Sequence, residues 1–363
     1  MKRHKILAIK LRSLGDTVIL TASLQELIRA FPQSEIHMLV TETWTPLLEG
    51  FPGIHRIWRA PLSWKKLTFF RRLRAERFDS VINFHASPSS ARLARLTGAP
   101  IRSIHFHGHQ DSNRYSTVEI PGKGVLKPAI ERDMDAVRAL GVHIPAGKTP
   151  KIYLQPGEIQ AAQNYLQSMD IPFPILGLAL GASRATKAWP LERMSALALD
   201  WCERSTGSVI AFAGPHEGHL IQQFLKQVDE ILPLQSLYRK RIRTLPPFEL
   251  RPLAALISQL SVLVGNDSGP KHVAVAVDTP TLTLFGPEHP FEWHPYATDR
   301  HPFLFIEPLT CRKSAAPGMP PWCGLEECIV EEHRCMRGIG VNAVLERALD
   351  LACAKPSVQG SKK

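Results

Sequence analysis

Two glycine-anchored acidic turns, Leu14-Gly15-Asp16 and Gly265-Asn266-Asp267-Ser268-Gly269, stand about 250 residues apart. Each follows a short apolar run and opens an apolar-periodic segment, the strand–turn–helix pattern that carries polar groups to the mouth of an α/β sheet. At the first turn two readings stay open. Asp16 either caps an orphan N–H at a helix start, or its carboxylate accepts a proton from an attacking hydroxyl. Lys10 and Arg12 are close in sequence, but sequence neighbours need not share a face. At the second turn Asp267 or Ser268 can cap a helix whose first N–H groups attract phosphate. His272 sits about one turn further on; it is either a ligand contact or a satisfied histidine beside a tight turn. A third segment, residues 181–190 (GASRATKAWP), follows an apolar run that ends at Leu180. Ser183, Thr186 and Lys187 can surround a phosphate there, with Lys187 opposing charge on a departing diphosphate. The spacing is not that of a Walker A loop, and a surface turn with Trp189 packed and Pro190 starting a helix remains the alternative.

These turns need a scaffold, and the chain alternates to supply one. Residues 5–11, 35–41, 79–84 and 101–106 read as strands of the first half, with helical periodicity behind Asp16 and again over 130–140. Residues 174–180, 208–213, 261–264 and 281–285 read as strands of the second half, with a helix around 249–259. Strands separated by helices imply right-handed crossovers and mostly parallel sheets. The fold class is therefore α/β: a first domain over 1–150, a turn-rich connection over 151–170 with 152–154 as a possible short strand, and a second domain over 171–340. A helix over 341–355 and a tail over 356–363 follow. Two such turns, one in each half, imply a cleft with substrate between the domains.

The chain has 363 residues, 44% of them hydrophobic and 21% charged, which suits a globular protein with two cores. Its formal charge of +11 favours an anionic partner. No recognition helix or aromatic-interleaved RNA motif is present, so nucleic acid is not an expected partner. The densest basic run is residues 65–77, where Lys65, Lys66, Arg71 and Arg72 can flank an apolar stripe of Leu67, Phe70 and Leu73. It reads as a solvated helix covering a sheet, or as a surface that meets anionic headgroups. The apolar run after the basic start is too short for a signal-peptide core, and no stretch is long enough to span a bilayer, so the expected compartment is the cytoplasm. Four of the six cysteines, Cys311, Cys323, Cys328 and Cys335, crowd one late segment. They can hold a structural zinc ion or an iron–sulfur cluster, but the paired CxxC spacing that marks zinc sites is absent, and packed free thiols or a redox-labile pair is the favoured reading.

The order SLGD ending at Asp16, then GASRATKAWP, GNDSGPKH (265–272), FGP (285–287) and HRCMR (333–337) resembles the glycosyltransferase family that contains the lipopolysaccharide core heptosyltransferases. The likeness covers nearly the whole chain. It implies a GT-B fold, two Rossmann-like domains facing across a cleft, and inverting transfer from ADP-L-glycero-β-D-manno-heptose to Kdo or heptose of the lipopolysaccharide inner core. It further implies Asp16 as general base, Lys187 as the donor-phosphate lysine, and Asp267, Ser268, Gly269 and His272 at the donor. No metal cofactor is required by the resemblance, and peripheral contact with the cytoplasmic face of the inner membrane is expected. A related transferase with another sugar or acceptor, or a non-catalytic binding protein of the same fold, is the rival reading.

Overall fold

The computed structural model describes residues 3–60, 67–85, 87–105, 115–120, 127–232, 236–314 and 321–353. Lys65, Lys66, Phe106 and the tail over 356–363 lie outside the described residues. The first half builds a parallel sheet from β1 (Lys5–Ile9), β2 (Glu35–Thr41), β3 (Ile54–Ala60), β4 (Ser80–Asn83) and β5 (Ile101–Ile104), in the order β3-β2-β1-β4-β5. The second half builds another from β6 (Ile175–Ala179), β7 (Ser208–Phe212), β8 (Ile242–Thr244), β9 (Val262–Asn266), β10 (Thr281–Phe285) and β11 (Phe303–Phe305), in the order β11-β10-β9-β6-β7-β8. Its pairs are parallel too. β4, β6, β7, β9 and β10 are buried at every residue and β1 and β2 at all but their ends, as sheets covered by helices on both faces require.

Strand order decides where ligand-facing loops gather. β1 lies between β2 and β4, and β6 lies between β7 and β9, so each sheet reverses its winding at its first strand. Loops leaving such switch points diverge and open a crevice at the carboxyl ends of the strands. The Asp16 turn leaves β1; the 181–190 segment and the Asp267 turn leave β6 and β9, which pair directly.

Three strands, β3, β8 and β11, lie where the sequence offered no recognised apolar run. β3 has His55, Arg56 and Arg59 exposed at the sheet edge, and β8 and β11 span three residues each. The expected short strand over 152–154 does not form; instead the Ile152 N–H donates to the Ala276 carbonyl (3.0 Å) and ties the connection to the second half. Most of the expected connection is a helix, Pro156–Ser168, whose Ala162 and Leu166 join the second half's core.

The halves are joined by an apolar seam. Val18 and Leu47 pack into the second core, while Val275 and Tyr296 pack into the first. Arg251, 8% exposed, fastens its edge. Its guanidinium donates to the carbonyls of Pro46 (3.0 Å), Glu49 (2.9 Å) and Tyr153 (2.9 Å) and pairs with Glu158. Among the described residues, no helix is long and apolar enough to cross a membrane.

Candidate active site

A cleft of about 1170 Å³ opens between the halves. Ser13, Asp16 and Trp44 line it from one side, and Ser183, Lys187, Glu217, Ser268 and His272 from the other. The helices Leu14–Ala30 and Gly269–Ala276 abut at its floor. A Cβ built on Gly15 would lie 2.8 Å from the His272 ring, and one on Gly269 would lie 2.4 Å from the Leu14 side chain. Both glycines are therefore small because the opposite domain presses on them, which is a sharper reason than turn geometry alone.

Asp16 is the third residue of its helix, and Ser13 is the N-cap. One carboxylate oxygen accepts from the Ser13 hydroxyl (2.8 Å) and N–H (3.3 Å); the other lies 3.5 Å from the Lys10 ammonium. A third of the side chain stays open to the cleft. Burial opposes its ionisation, but Lys10 and the Ser13 hydrogen bonds outweigh it, and the carboxyl is held down to about 2. The N-cap is therefore Ser13, and Asp16 supports it from the third helical position while facing the cleft as a carboxylate.

Asp267 has another role. It is buried, and Lys187 (2.8 Å) and Lys271 each pair with one of its oxygens. Burial penalises its charge, yet the two lysines hold its carboxyl far below the usual range. It is an internal counter-ion that aims two ammonium groups, and Lys187 also lies 3.7 Å from Glu288. Ser268 caps the Gly269–Ala276 helix by position, but its buried hydroxyl makes no hydrogen bond, and it lines the cleft with Gly269. The first amides of that helix are the kind of group that receives phosphate oxygens. His272 is buried and its Nδ1 meets the Tyr296 hydroxyl; burial first, then Lys271, keeps its pKa well below normal, so the ring is neutral.

The 181–190 segment is braced by a residue that sequence reasoning gave no role. Asn266 accepts from the Trp189 N–H (2.8 Å) and donates to the Leu180 and Gly181 carbonyls (3.2 Å each). Ser183 and Lys187 consequently reach the cleft. Thr186 does not: its buried hydroxyl donates to the Leu325 carbonyl (2.7 Å) and its own carbonyl meets His333. Glu217, also missed, lies at the β7 end of the cleft, where an acidic residue can take ribose hydroxyls. The signal for it was only an acid just beyond a strand.

Behind Asp16 a smaller cavity of about 130 Å³ is lined by Lys10, His85, His105, Arg132 and Asp133. Arg132 pairs with Glu292 (2.7 Å) from the second domain. Of the basic run, Arg71 and Arg72 are exposed on the Leu67–Ala75 helix; Leu73 is buried, while Leu67 points to solvent instead of completing the stripe.

Cys311, Cys323, Cys328 and Cys335 are free thiols, and among the described residues no three of them bring their sulfurs within 4.8 Å of one another. Burial pushes the Cys335 thiol up to about 11 in spite of Arg312, which pulls it down, and so keeps it protonated. One group does meet that spacing, Glu35, His37 and His55. Its chemistry is wrong for a metal. Trp58 Nε1, a donor only, donates to His37 Nδ1 (3.0 Å), so the neutral ring carries its proton on Nε2, the atom that would have to ligate.

The sequence model of glycosyltransferase family 9 (heptosyltransferase) matches residues 66–316, a span that holds the donor-side residues and begins after Asp16. The chain is 25% identical over 297 residues to lipopolysaccharide heptosyltransferase 3 of Escherichia coli, covering 78% of this chain and 84% of that one. Its fold matches a glycosyl transferase family 9 structure from Veillonella parvula with a TM-score of 0.75 at 23% identity, over 96% of this chain and 97% of that one. It matches the E. coli ADP-heptose lipopolysaccharide heptosyltransferase II equally well, with a TM-score of 0.75 at 20% identity, over 96% and 98%. Two parallel-sheet domains around one cleft make this the GT-B fold, and the chain is a glycosyltransferase that belongs to family 9, the heptosyltransferases.

Proposed function

We propose that this enzyme transfers heptose from ADP-L-glycero-β-D-manno-heptose to the Kdo or heptose of a lipopolysaccharide inner core, with inversion. The observation that carries the proposal is an ionised Asp16 from one domain facing, across the cleft, an amide-rich helix start and Lys187 from the other. The relatives' names supply the sugar and the acceptor class. The diphosphate is taken by Ser183, Lys187, Ser268 and the Gly269 amide, while Glu217 faces the ribose. His272, neutral and pressed against Gly15, packs beside the reacting carbon.

The reaction is one displacement. Asp16 takes the acceptor hydroxyl proton as its oxygen attacks the anomeric carbon from the face opposite ADP. The bond to the diphosphate breaks, and Lys187 with the helix amides offsets the charge that gathers there. A carboxylate held near 2 is a weak base, so the proton moves late, once the forming bond has made the hydroxyl acidic. The acceptor side falls to the first domain, which carries Asp16. Exposed Arg71 and Arg72 give the same domain a basic outer face toward a lipid-borne acceptor.

The test is a transfer assay with ADP-heptose and defined truncated lipopolysaccharide acceptors. The expected product from the β-linked donor is α-linked. Removing the Asp16 carboxylate (D16A) or the Lys187 ammonium (K187A) is expected to cost about 2–4 kcal/mol of transition-state stabilisation, by analogy with lost oxyanion donors. Near-wild-type kcat/KM in both variants at subsaturating donor would sink the assignment.

A further inference from the structure

Behind the proposed base lies a second carboxylate that the displacement itself does not use. Lys10, 5% exposed, sits at the end of β1 with its ammonium 3.5 Å from Asp16 and 3.6 Å from Asp133, and donates to the Phe84 carbonyl (3.0 Å). Asp133, on the helix Ala129–Arg138, is 3% exposed, and its Oδ2 has no hydrogen-bond partner although it faces that ammonium. One buried cation therefore stands between two carboxylates, one facing the cleft and one behind it.

We infer that Asp133 is a positioning residue for the transfer reaction, setting the basicity of Asp16 by competing for Lys10. The inference rests on Asp16 being the base. With Asp133 ionised, its negative charge offsets that of Lys10 at Asp16 and draws the ammonium toward itself, and Asp16 holds a proton more readily. Once Asp16 has taken the acceptor's proton, Lys10 keeps a counter-ion in Asp133 and is not stranded in a buried site. With Asp133 neutral, the whole charge of Lys10 bears on Asp16 and weakens it as a base.

The surrounding charges make Asp133 able to switch near neutrality. Burial raises its carboxyl, Lys10 and Arg132 lower it, and Asp16 raises it, to about 6. Lys10 faces it from β1, Asp16 from the first helix, and Arg132 from its own helix, while His85 and His105 line the same cavity from the ends of β4 and β5. Arg132 is itself paired with Glu292.

Two measurements test this. In the free enzyme, carboxyl-carbon NMR of labelled aspartates is expected to show the Asp16 resonance titrating at its own low pH and again near pH 6, and Asp133→Asn is expected to erase the second step. In the transfer assay, D133N is expected to lose the acid limb near pH 6. Its kcat is expected to fall roughly three- to tenfold at pH 8, about what a unit or less of lost proton affinity gives, and to converge with wild type at pH 5. In a Lys10→Met background the effect of D133N is expected to shrink to the direct repulsion between the two carboxylates, and an effect as large as with Lys10 in place would overturn the competition. A wild-type Asp16 resonance blind to pH near 6, or a D133N profile parallel to wild type at every pH, overturns the inference. Intact coupling in the NMR with no transfer from ADP-heptose would instead strike at the proposed substrates.

Discussion

At the scale of single residues, Gly15 and His272 press on each other across the cleft. A methyl group at position 15 would sit 2.8 Å from the imidazole, which is itself held by Tyr296. The ring cannot retreat without losing that partner, so the strain of G15A falls on the seam between the domains. Overpacking of this kind costs about 1–3 kcal/mol, and an ångström of displacement between reacting groups costs roughly a hundredfold in rate. G15A is therefore expected to lower kcat far more than it lowers the melting temperature, as paired thermal-unfolding and transfer measurements will show. A G15A enzyme with wild-type kcat would mean that the two helix starts do not need this contact during turnover. Asp16 and Lys187 were legible in the sequence because each sits in a short motif beside an apolar run. Lys271, Asn266 and Asp133 were not given their roles, because those roles depend on partners. Lys271 shares Asp267 with a lysine 84 positions earlier in the chain, and Asp133 meets Lys10 only after β1 and the Ala129–Arg138 helix are brought together.

At the scale of elements, the interior strands announced themselves, and of the four edge strands only β5 did. β2 and β10 have the ends read from sequence, since Glu35 and Thr41 bound the β-rich run of one and Pro280 and Gly286 stop the other. β3 hides because it is an edge strand, and edges carry charge to discourage pairing with other chains; Arg56 covers its Trp58 ring instead (3.9 Å). The connection between domains was read as turn-rich, and Pro156 does start the Pro156–Ser168 helix, but nothing local showed that the helix would be clasped by Arg251. That arginine satisfies three carbonyls and a carboxylate drawn from the first domain, the connection and the helix. Arg251→Ala leaves those groups without a donor at a buried seam, and hydrogen bonds to charged groups are worth about 1.5–3 kcal/mol each. The expected outcome is a lower melting temperature together with faster proteolytic cleavage near residues 149–155. Unchanged cleavage would place the strength of the seam in its apolar packing.

At the scale of the whole molecule, a formal charge of +11 is spread so that Arg71 and Arg72 lie exposed on the first domain. If that face meets a lipid-borne acceptor, neutralising both arginines (R71Q/R72Q) is expected to weaken binding to vesicles carrying truncated lipopolysaccharide, and to leave ADP-heptose affinity in solution as it was. The difference should shrink as salt rises and charges are screened over about 10 Å at 0.1 M. Indifference of vesicle binding to the substitution across a salt series would remove the basic face from the encounter. The abutting glycines carry a consequence for waste. Because Gly15 bears on His272 and Leu14 on Gly269, any widening of the cleft pulls the carboxylate of one domain away from the phosphate cradle of the other. On the proposed roles, a nucleotide sugar held by the second domain alone would have no base beside it to activate a stray water. The proposed set of groups comes together only where the two helix starts meet, and there the acceptor would occupy the place a water needs. Opening of the cleft would then disarm the enzyme and spare the donor from hydrolysis.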